Sequence, residues 1–279
     1  MKELQKKNRG GLAAKILLAP LVLIMMLLAG GCAGPGGGGG TASTAAGDVL
    51  KVGVTANSPP LVYKQNGKIT GLEAEFAREL ARFAGKEVRF IEVAWEDQIP
   101  SLVEGKTDII MSGMTITDLR RYSIDFSEPY LVSGQVSLVR RDEFNHFSSG
   151  LGDLLNIKVR VGSVADTTGS YLVQHQLRGN KHKEFSTPQK GVEALLAKEI
   201  DAFLYDLPMN FYFGALNEAK GLVPVPVPLS REFLAWGVRK DDPELLATAN
   251  RFVVNLKESG KLQEMVQRWI PFYRNVYNQ

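Results

Sequence analysis

From Val49 onward, short apolar runs alternate with stretches in which apolar residues recur every three or four positions. The runs predict strands at Val49–Val54, Val88–Val93, Asp108–Met111, Ile157–Val161, Asp201–Tyr205 and Phe233–Val238. Between the first two, Gly71–Ala84 sets Phe76, Leu80 and Ala84 at i, i+4 and i+8 with Ala77 and Ala81 beside them, the apolar face of a helix. Gly85 then stands where a left-handed residue closes a helix. Tyr63–Thr70 reads as a hairpin turning at Asn66-Gly67, a pair suited to type I′ geometry. Pro243–Ser259 and Lys261–Ile270 predict two closing helices separated by Gly260, and Ile99–Val103 a short one. This alternation means an α/β protein with a largely parallel sheet.

The strand–helix pattern runs twice, up to about Tyr130 and again from Ile157 to about Val225. Between the two lies an extended stretch, Val132–Arg141, and a second, Leu229–Lys240, leads into the closing helices. The simplest topology is two α/β lobes joined by two crossing strands, the first lobe taking 48–133 plus 235–279 and the second 134–234 with the hinge strands. A cleft between two such lobes is where small ligands lodge.

The N-terminus changes the reading of the charge. Lys2, Lys6, Lys7, Arg9 and Lys15 precede Ile16–Leu28, an uninterrupted apolar run of 13 residues. That length suits the core of a signal peptide better than a membrane span. Leu28-Ala29-Gly30-Gly31-Cys32 resembles a bacterial lipoprotein box, which makes 1–31 a leader and Cys32 a lipidated, palmitate-bearing first residue. The formal net charge of +3 then becomes about −1, because the leader holds five Lys/Arg and one acid. Nothing in that balance calls for nucleic acid. Cys32 is the sole cysteine, so no intrachain disulfide can form and the fold rests on its core. Residues 32–47 form the lipidated cysteine and a Gly- and Ala-rich tether with nothing to bury. Its 15 residues after Cys32 span about 20–23 Å root-mean-square.

The candidate chemistry gathers at strand ends. After Asp108–Met111 comes the small-residue loop Ser112-Gly113-Met114-Thr115, then a helix start with Thr117 as N-cap, Asp118 in its first turn and Arg120 one turn in. Helix-start N–H groups beside a guanidinium, at the carboxyl end of a strand, suit a small carboxylate. A second strand–loop–helix start, Val161-Gly162-Ser163 to Asp166-Thr167-Thr168-Gly169, can offer further N–H groups. Asp201–Tyr205 ends in Asp206-Leu207-Pro208, a carboxylate at a third strand end. A cation with oriented donors on one lobe and an anion on the other is the pattern an α-amino acid needs: carboxylate to Arg120, ammonium to Asp206.

Each residue also has a plain structural reading. Asp206 can cap the helix that Pro208 begins, Thr167 and Thr168 can cap another, and Arg120 can be a surface ion-pair residue. Trp95 is either core filler or a pocket wall. Met111 and Met114 suit packing. His146, His175 and His182 share no metal-ligand spacing, and no HExxH, GxSxG, P-loop or paired cysteine occurs, so neither metal, cofactor nor catalytic constellation is expected.

From about Val49 to Phe272 the chain resembles the bacterial extracellular solute-binding proteins of family 3, the polar amino-acid receptors of ABC importers. The motifs that carry the likeness are Gly71-Leu72-Glu73-Ala74-Glu75-Phe76, Ile99-Pro100-Ser101-Leu102 with Gly105-Lys106-Thr107-Asp108, Ser112–Arg120, Phe126-Ser127-Glu128-Pro129-Tyr130, and Asp201-Ala202 with Tyr205-Asp206. The resemblance implies a two-lobed periplasmic-binding-protein fold of type II with two crossover hinge strands. It implies Arg120 and the Thr168 main chain for the ligand carboxylate. For the ammonium it implies Asp206, the Thr115 hydroxyl and the Gly113 carbonyl. Trp95 falls at a position that touches the ligand side chain. Ser58 stands where many members carry a stacking aromatic residue, and Asp166 where glycine is usual. The first departure speaks against a flat or cationic side chain, the second against an acidic ligand.

The expected protein is therefore an extracytoplasmic, lipid-anchored receptor of the bacterial cell envelope, in the periplasm or at the cell surface. It closes on an amino acid or related small zwitterion and docks ABC permease subunits. Two other readings share the fold: a cyclohexadienyl dehydratase-like enzyme, and a sensor that reports ligand state to a signalling partner.

Overall fold

A computed structural model describes residues 48–273. The leader 1–31, Cys32, the tether 33–47 and the last residues, 274–279, lie outside the described residues.

Two five-stranded sheets carry the fold. In the first, Val49–Val54 lies between Glu87–Glu92 and Ile109–Ile110, parallel to both, and Gly237–Val238 and Asp125–Phe126 complete the sheet by antiparallel pairing. In the second, Arg160–Val164 lies parallel between Lys181–Phe185 and Ala202–Asp206, and Gln135–Arg140 and Leu222–Pro224 follow antiparallel. The expectation of a largely parallel sheet thus becomes two mixed sheets. The antiparallel strands in each include the segments that leave or re-enter it, and these run against the strand–helix–strand units.

The chain crosses between the sheets twice, through Leu131–Ser133 and Glu232–Leu234, which pair antiparallel with Ser133 opposite Glu232. The expected strand Phe233–Val238 is in fact two, Glu232–Leu234 and Gly237–Val238. They part at Trp236, whose backbone N–H turns to the Ser127 hydroxyl at 3.0 Å.

Local chemistry explains the elements that were legible. The helix Leu72–Phe83 buries Leu72, Phe76, Ala77 and Leu80 and ends with Gly85 at φ 68°. Asn66 and Gly67 both take positive φ, 51° and 75°, as a type I′ turn between Val62–Gln65 and Lys68–Thr70 requires. Thr187 caps Pro188–Leu196, whose proline sits in the first turn. Lys181–Phe185 (KHKEF) escaped the pattern because this edge strand is polar and buries only Phe185. The strand expected at Ile157–Val161 begins at Arg160, since Ile157 ends the helix Leu151–Asn156.

The first core centres on Trp236, fully buried, with its ring centroid 5.5–5.7 Å from those of Tyr130, Phe76 and Phe252. On the second sheet, Phe203 presses against the helix Pro188–Leu196 where only glycine fits: a Cβ on Gly191 would stand 2.1 Å from the Phe203 ring. Gly191→Ala should therefore lower stability by about 1–3 kcal/mol through overpacking. The thermal midpoint would drop by about 2–4 °C for each kcal/mol, and an unchanged midpoint would show that the ring yields freely.

Candidate functional site

The first half of the site is a loop held from three sides. Ile109–Ile110 runs into Ser112–Thr115, and Thr117 caps the short helix Asp118–Arg121 by accepting the Arg120 N–H at 3.2 Å. Gly113 adopts φ 68°, and a Cβ there would meet Leu61 at 2.8 Å. Its N–H donates to the Glu73 carboxylate at 2.6 Å, the Ser112 hydroxyl accepts the Thr55 N–H, and the Met114 carbonyl accepts the Ala235 N–H. Arg120 is fixed in turn: one guanidinium nitrogen donates to the Thr115 carbonyl at 2.8 Å, and the guanidinium lies 5.2 Å from the Trp95 ring centroid. Burial lowers its pKa, opposed by the charges of Asp206 and Glu232, but arginine stays a cation throughout.

The second half comes from the other sheet. After Arg160–Val164, Asp166 takes φ 59°, a left-handed conformation that asparagine and aspartate tolerate better than most residues. This is the position at which glycine is usual in the family resembled. The Asp166 carbonyl accepts the Trp95 indole N–H at 3.0 Å and lies 3.4 Å from Arg120 Nη2, so it joins the halves. Thr167, not Thr168, caps the helix Thr168–Gln176, its hydroxyl accepting from the Ser170 N–H. Thr168 is left to donate its hydroxyl elsewhere. Asp206 ends Ala202–Asp206 and stands at the N-cap of Leu207–Leu216, yet its side chain makes no capping bond. The plain capping reading of Asp206 therefore fails.

Six of the seven ligand-binding residues expected from the sequence line one small cavity: Trp95, Gly113, Thr115, Arg120, Thr168 and Asp206. Tyr205 and Met209 line it as well. Ser58 does not; its hydroxyl lies 3.3 Å from the Tyr205 hydroxyl, one layer behind the wall. A larger groove along Pro129–Val132 and the helix Lys261–Trp269 has no convergent pair of opposite charges. Asp206 is 6% exposed, and burial above all, then the charge of Glu232, raises its pKa against the opposing pull of Gln135 and Arg120. A buried carboxylate in that state is stabilised as an ion by any added cation.

Three further residues were not singled out for the site. Glu232, 8% exposed, accepts the Thr115, Thr168 and Ser230 hydroxyls, each at 2.8 Å. Gln135 donates to the Thr168 hydroxyl at 3.0 Å. Glu73, fully buried, accepts from Gly113 N–H, Tyr130 O–H (2.6 Å) and Trp236 Nε1–H (2.9 Å). Glu73 was visible only as one acid of the Gly71–Phe76 motif. Among the described residues no His/Cys/Asp/Glu group is arranged to hold a metal ion.

Residues 50–272 match the family model of the bacterial extracellular solute-binding proteins, family 3. The L-cystine-binding protein TcyJ of Escherichia coli K12 is 28% identical over 225 residues, 79% of this chain and 82% of its own length. Among solved structures, the ancestral amino acid-binding protein AncCDT-1, a precursor of cyclohexadienyl dehydratase, superposes with a TM-score of 0.73 at 33% identity, covering 80% of this chain and 95% of that one. A protein of Wolinella succinogenes solved in complex with lysine gives a TM-score of 0.74 at 31% identity, covering 80% of this chain and 95% of that one.

Burial raises the Glu73 pKa from 4.5 to about 7, against the three donors that favour its ion. Because the folded carboxyl holds its proton to higher pH than the unfolded one, its cost is absent below about 4.5, grows as pH rises and is complete above about 7. Over that window Glu73 should remove on the order of 3 kcal/mol of stability. Urea unfolding at pH 5, 6 and 7 should show a steeper fall for the native protein than for Glu73→Gln; parallel slopes would disprove the assignment.

Proposed function

Since the chain belongs to the bacterial extracellular solute-binding proteins of family 3, we propose that it is the extracytoplasmic receptor of an ABC importer and that it takes an amino acid or a related small zwitterion. The observation that carries this reading is the pairing of Arg120 and Asp206, placed by different sheets at one small cavity. The ligand carboxylate sits on Arg120 and the Thr168 N–H. The ammonium sits between Asp206, the Thr115 hydroxyl and the Gly113 carbonyl, and the side chain runs towards Trp95. The cystine-binding relative and the lysine complex support an amino acid as the class of ligand.

Residues 48–133 and 235–279 make one lobe and 134–234 the other. A ligand whose two charges are matched on opposite lobes binds the closed form better than the open one, and only that difference drives closure. The ribbon of Leu131–Ser133 and Glu232–Leu234 takes up the rotation. The closed form docks the permease. No turnover belongs to this reading: an ammonium on Asp206 commits that carboxyl to binding, so release of product from prephenate or arogenate would overturn it in favour of a dehydratase.

The protein should be screened by thermal shift against the amino acids. A ligand at 100 times its dissociation constant adds about 2.7 kcal/mol, or roughly 5–11 °C. Arg120→Ala should weaken the hit at least about 30-fold, the loss typical of a truncated buried charge pair; unchanged affinity would sink the assignment. Residues 1–31 act as the leader and Cys32 as the lipidated anchor. Cys32→Ser should accordingly move the protein from the membrane fraction to the soluble fraction, and retention on the membrane would disprove lipidation.

A further inference from the structure

Glu232 lies outside the lining of the cavity, yet it controls two groups that form the lining. It is carried by the crossing strand Glu232–Leu234. One of its oxygens, Oε2, accepts the hydroxyl of Thr115 from the loop after Ile110 and that of Thr168 from the start of the helix Thr168–Gln176, both at 2.8 Å. The other, Oε1, accepts the Ser230 hydroxyl at 2.8 Å.

A carboxylate offers acceptors only, so each of the three hydroxyls must donate to it. A threonine hydroxyl has a single proton. Once that proton points at Glu232, Thr115 can only accept from anything in the cavity. Thr168 is in the same state, and one of its lone pairs already receives Gln135 Nε2–H at 3.0 Å. The wall beside Asp206 thus becomes a surface of lone pairs with two acidic groups close by, Asp206 within it and Glu232 behind. That surface rewards a group with several N–H donors and a positive charge, and it treats a hydroxyl poorly.

We propose that Glu232 is a positioning residue that fixes the Thr115 and Thr168 hydroxyls as acceptors towards the cavity and thereby makes the site select an α-ammonium over an α-hydroxyl. This rests on the amino-acid reading of the cavity. It goes further in naming the residue that sets selection at the α-position, one that touches no ligand atom.

The test compares two ligands of the purified protein: the tightest binder among the twenty amino acids and cystine, and the 2-hydroxy acid with the same side chain. Calorimetry, with competition for the weaker ligand, gives the ratio of their affinities. Glu232→Gln keeps the size of the side chain and removes the charge. It should reduce the ratio at least about tenfold, as expected for hydrogen bonds that depend on a charged group, mainly by weakening the amino acid. Thr115→Val should reduce it as well, and adding Glu232→Gln to that variant should change it less than in the native protein, because the Thr115 contact is shared and only the Thr168 one remains. If Glu232→Gln does not fold, Glu232→Asp takes its place: the charge stays, the shorter chain cannot hold both hydroxyls, and part of the ratio is lost. Equal weakening of both ligands would reduce Glu232 to a structural role and overturn the proposal. Should the native protein bind no amino acid at all, the parent reading falls with it. Loss of binding in Arg120→Ala with an unaltered ratio in Glu232→Gln would overturn this inference alone.

Discussion

A single buried carboxylate ties together the parts on which the cavity depends. Glu73 accepts hydrogen bonds from the backbone of Gly113, the hydroxyl of Tyr130 and the indole of Trp236. The first belongs to the loop that floors the site, the second precedes the outgoing crossing strand, and the third follows the returning one. Three donors from three segments make the position of each a condition for the others. The aromatic cluster around Trp236 closes over the carboxylate and excludes the water that would otherwise compete for it. Desolvation then opposes the ion while the three donors favour it, so the geometry must be held closely for the arrangement to persist.

The cavity repeats this logic at its wall. Asp206 and Glu232 are both buried acids, and the charge of Glu232 raises the cost of ionising Asp206. The hydroxyls of Thr115, Thr168 and Ser230 satisfy Glu232, and Gln135 links Thr168 to the strand that leaves the crossing ribbon. Arg120 is anchored on the Thr115 carbonyl and faced by Trp95. Two acids set against the single cation Arg120 make the site the electrostatic complement of a ligand that brings an ammonium, which favours the ionised form of Asp206.

Much of this was legible because it is local. The Thr117 cap, the turn at Asn66-Gly67, the stripe of Leu72–Phe83 and the strand Val49–Val54 follow from spacing over a few residues. Arg120, Thr115 and Gly113 were accessible as a strand end running into a helix start, and Asp206 as a carboxylate in the same kind of place. What escaped was set by distance along the chain. The donors to Glu73 lie 40, 57 and 163 positions away, and Thr115 and Thr168 lie 117 and 64 from Glu232. A lone acid in an extended segment carries no sign of partners that remote. Ser58 was expected at the ligand from its alignment with an aromatic position; in the fold it backs Tyr205, the residue that faces the cavity.

The order in which the two sheets can be completed differs. Every strand of the second sheet lies within residues 135–224, so that sheet has all its parts once this stretch has left the ribosome. The first sheet begins with Val49–Val54 yet needs Gly237–Val238, which joins Ile109–Ile110 to Asp125–Phe126 in the strand order. Its N-terminal strands must wait for nearly the whole chain. Such long-range pairing is slow, because the intervening loop must close before the contacts form. Until then Trp236 has not reached Glu73, and the apolar faces of Phe76 and Leu80 lack their cover. The half whose strands are synthesised first is thus the half whose sheet is completed last, and its uncovered apolar faces are the ones open to aggregation until Gly237–Val238 arrives.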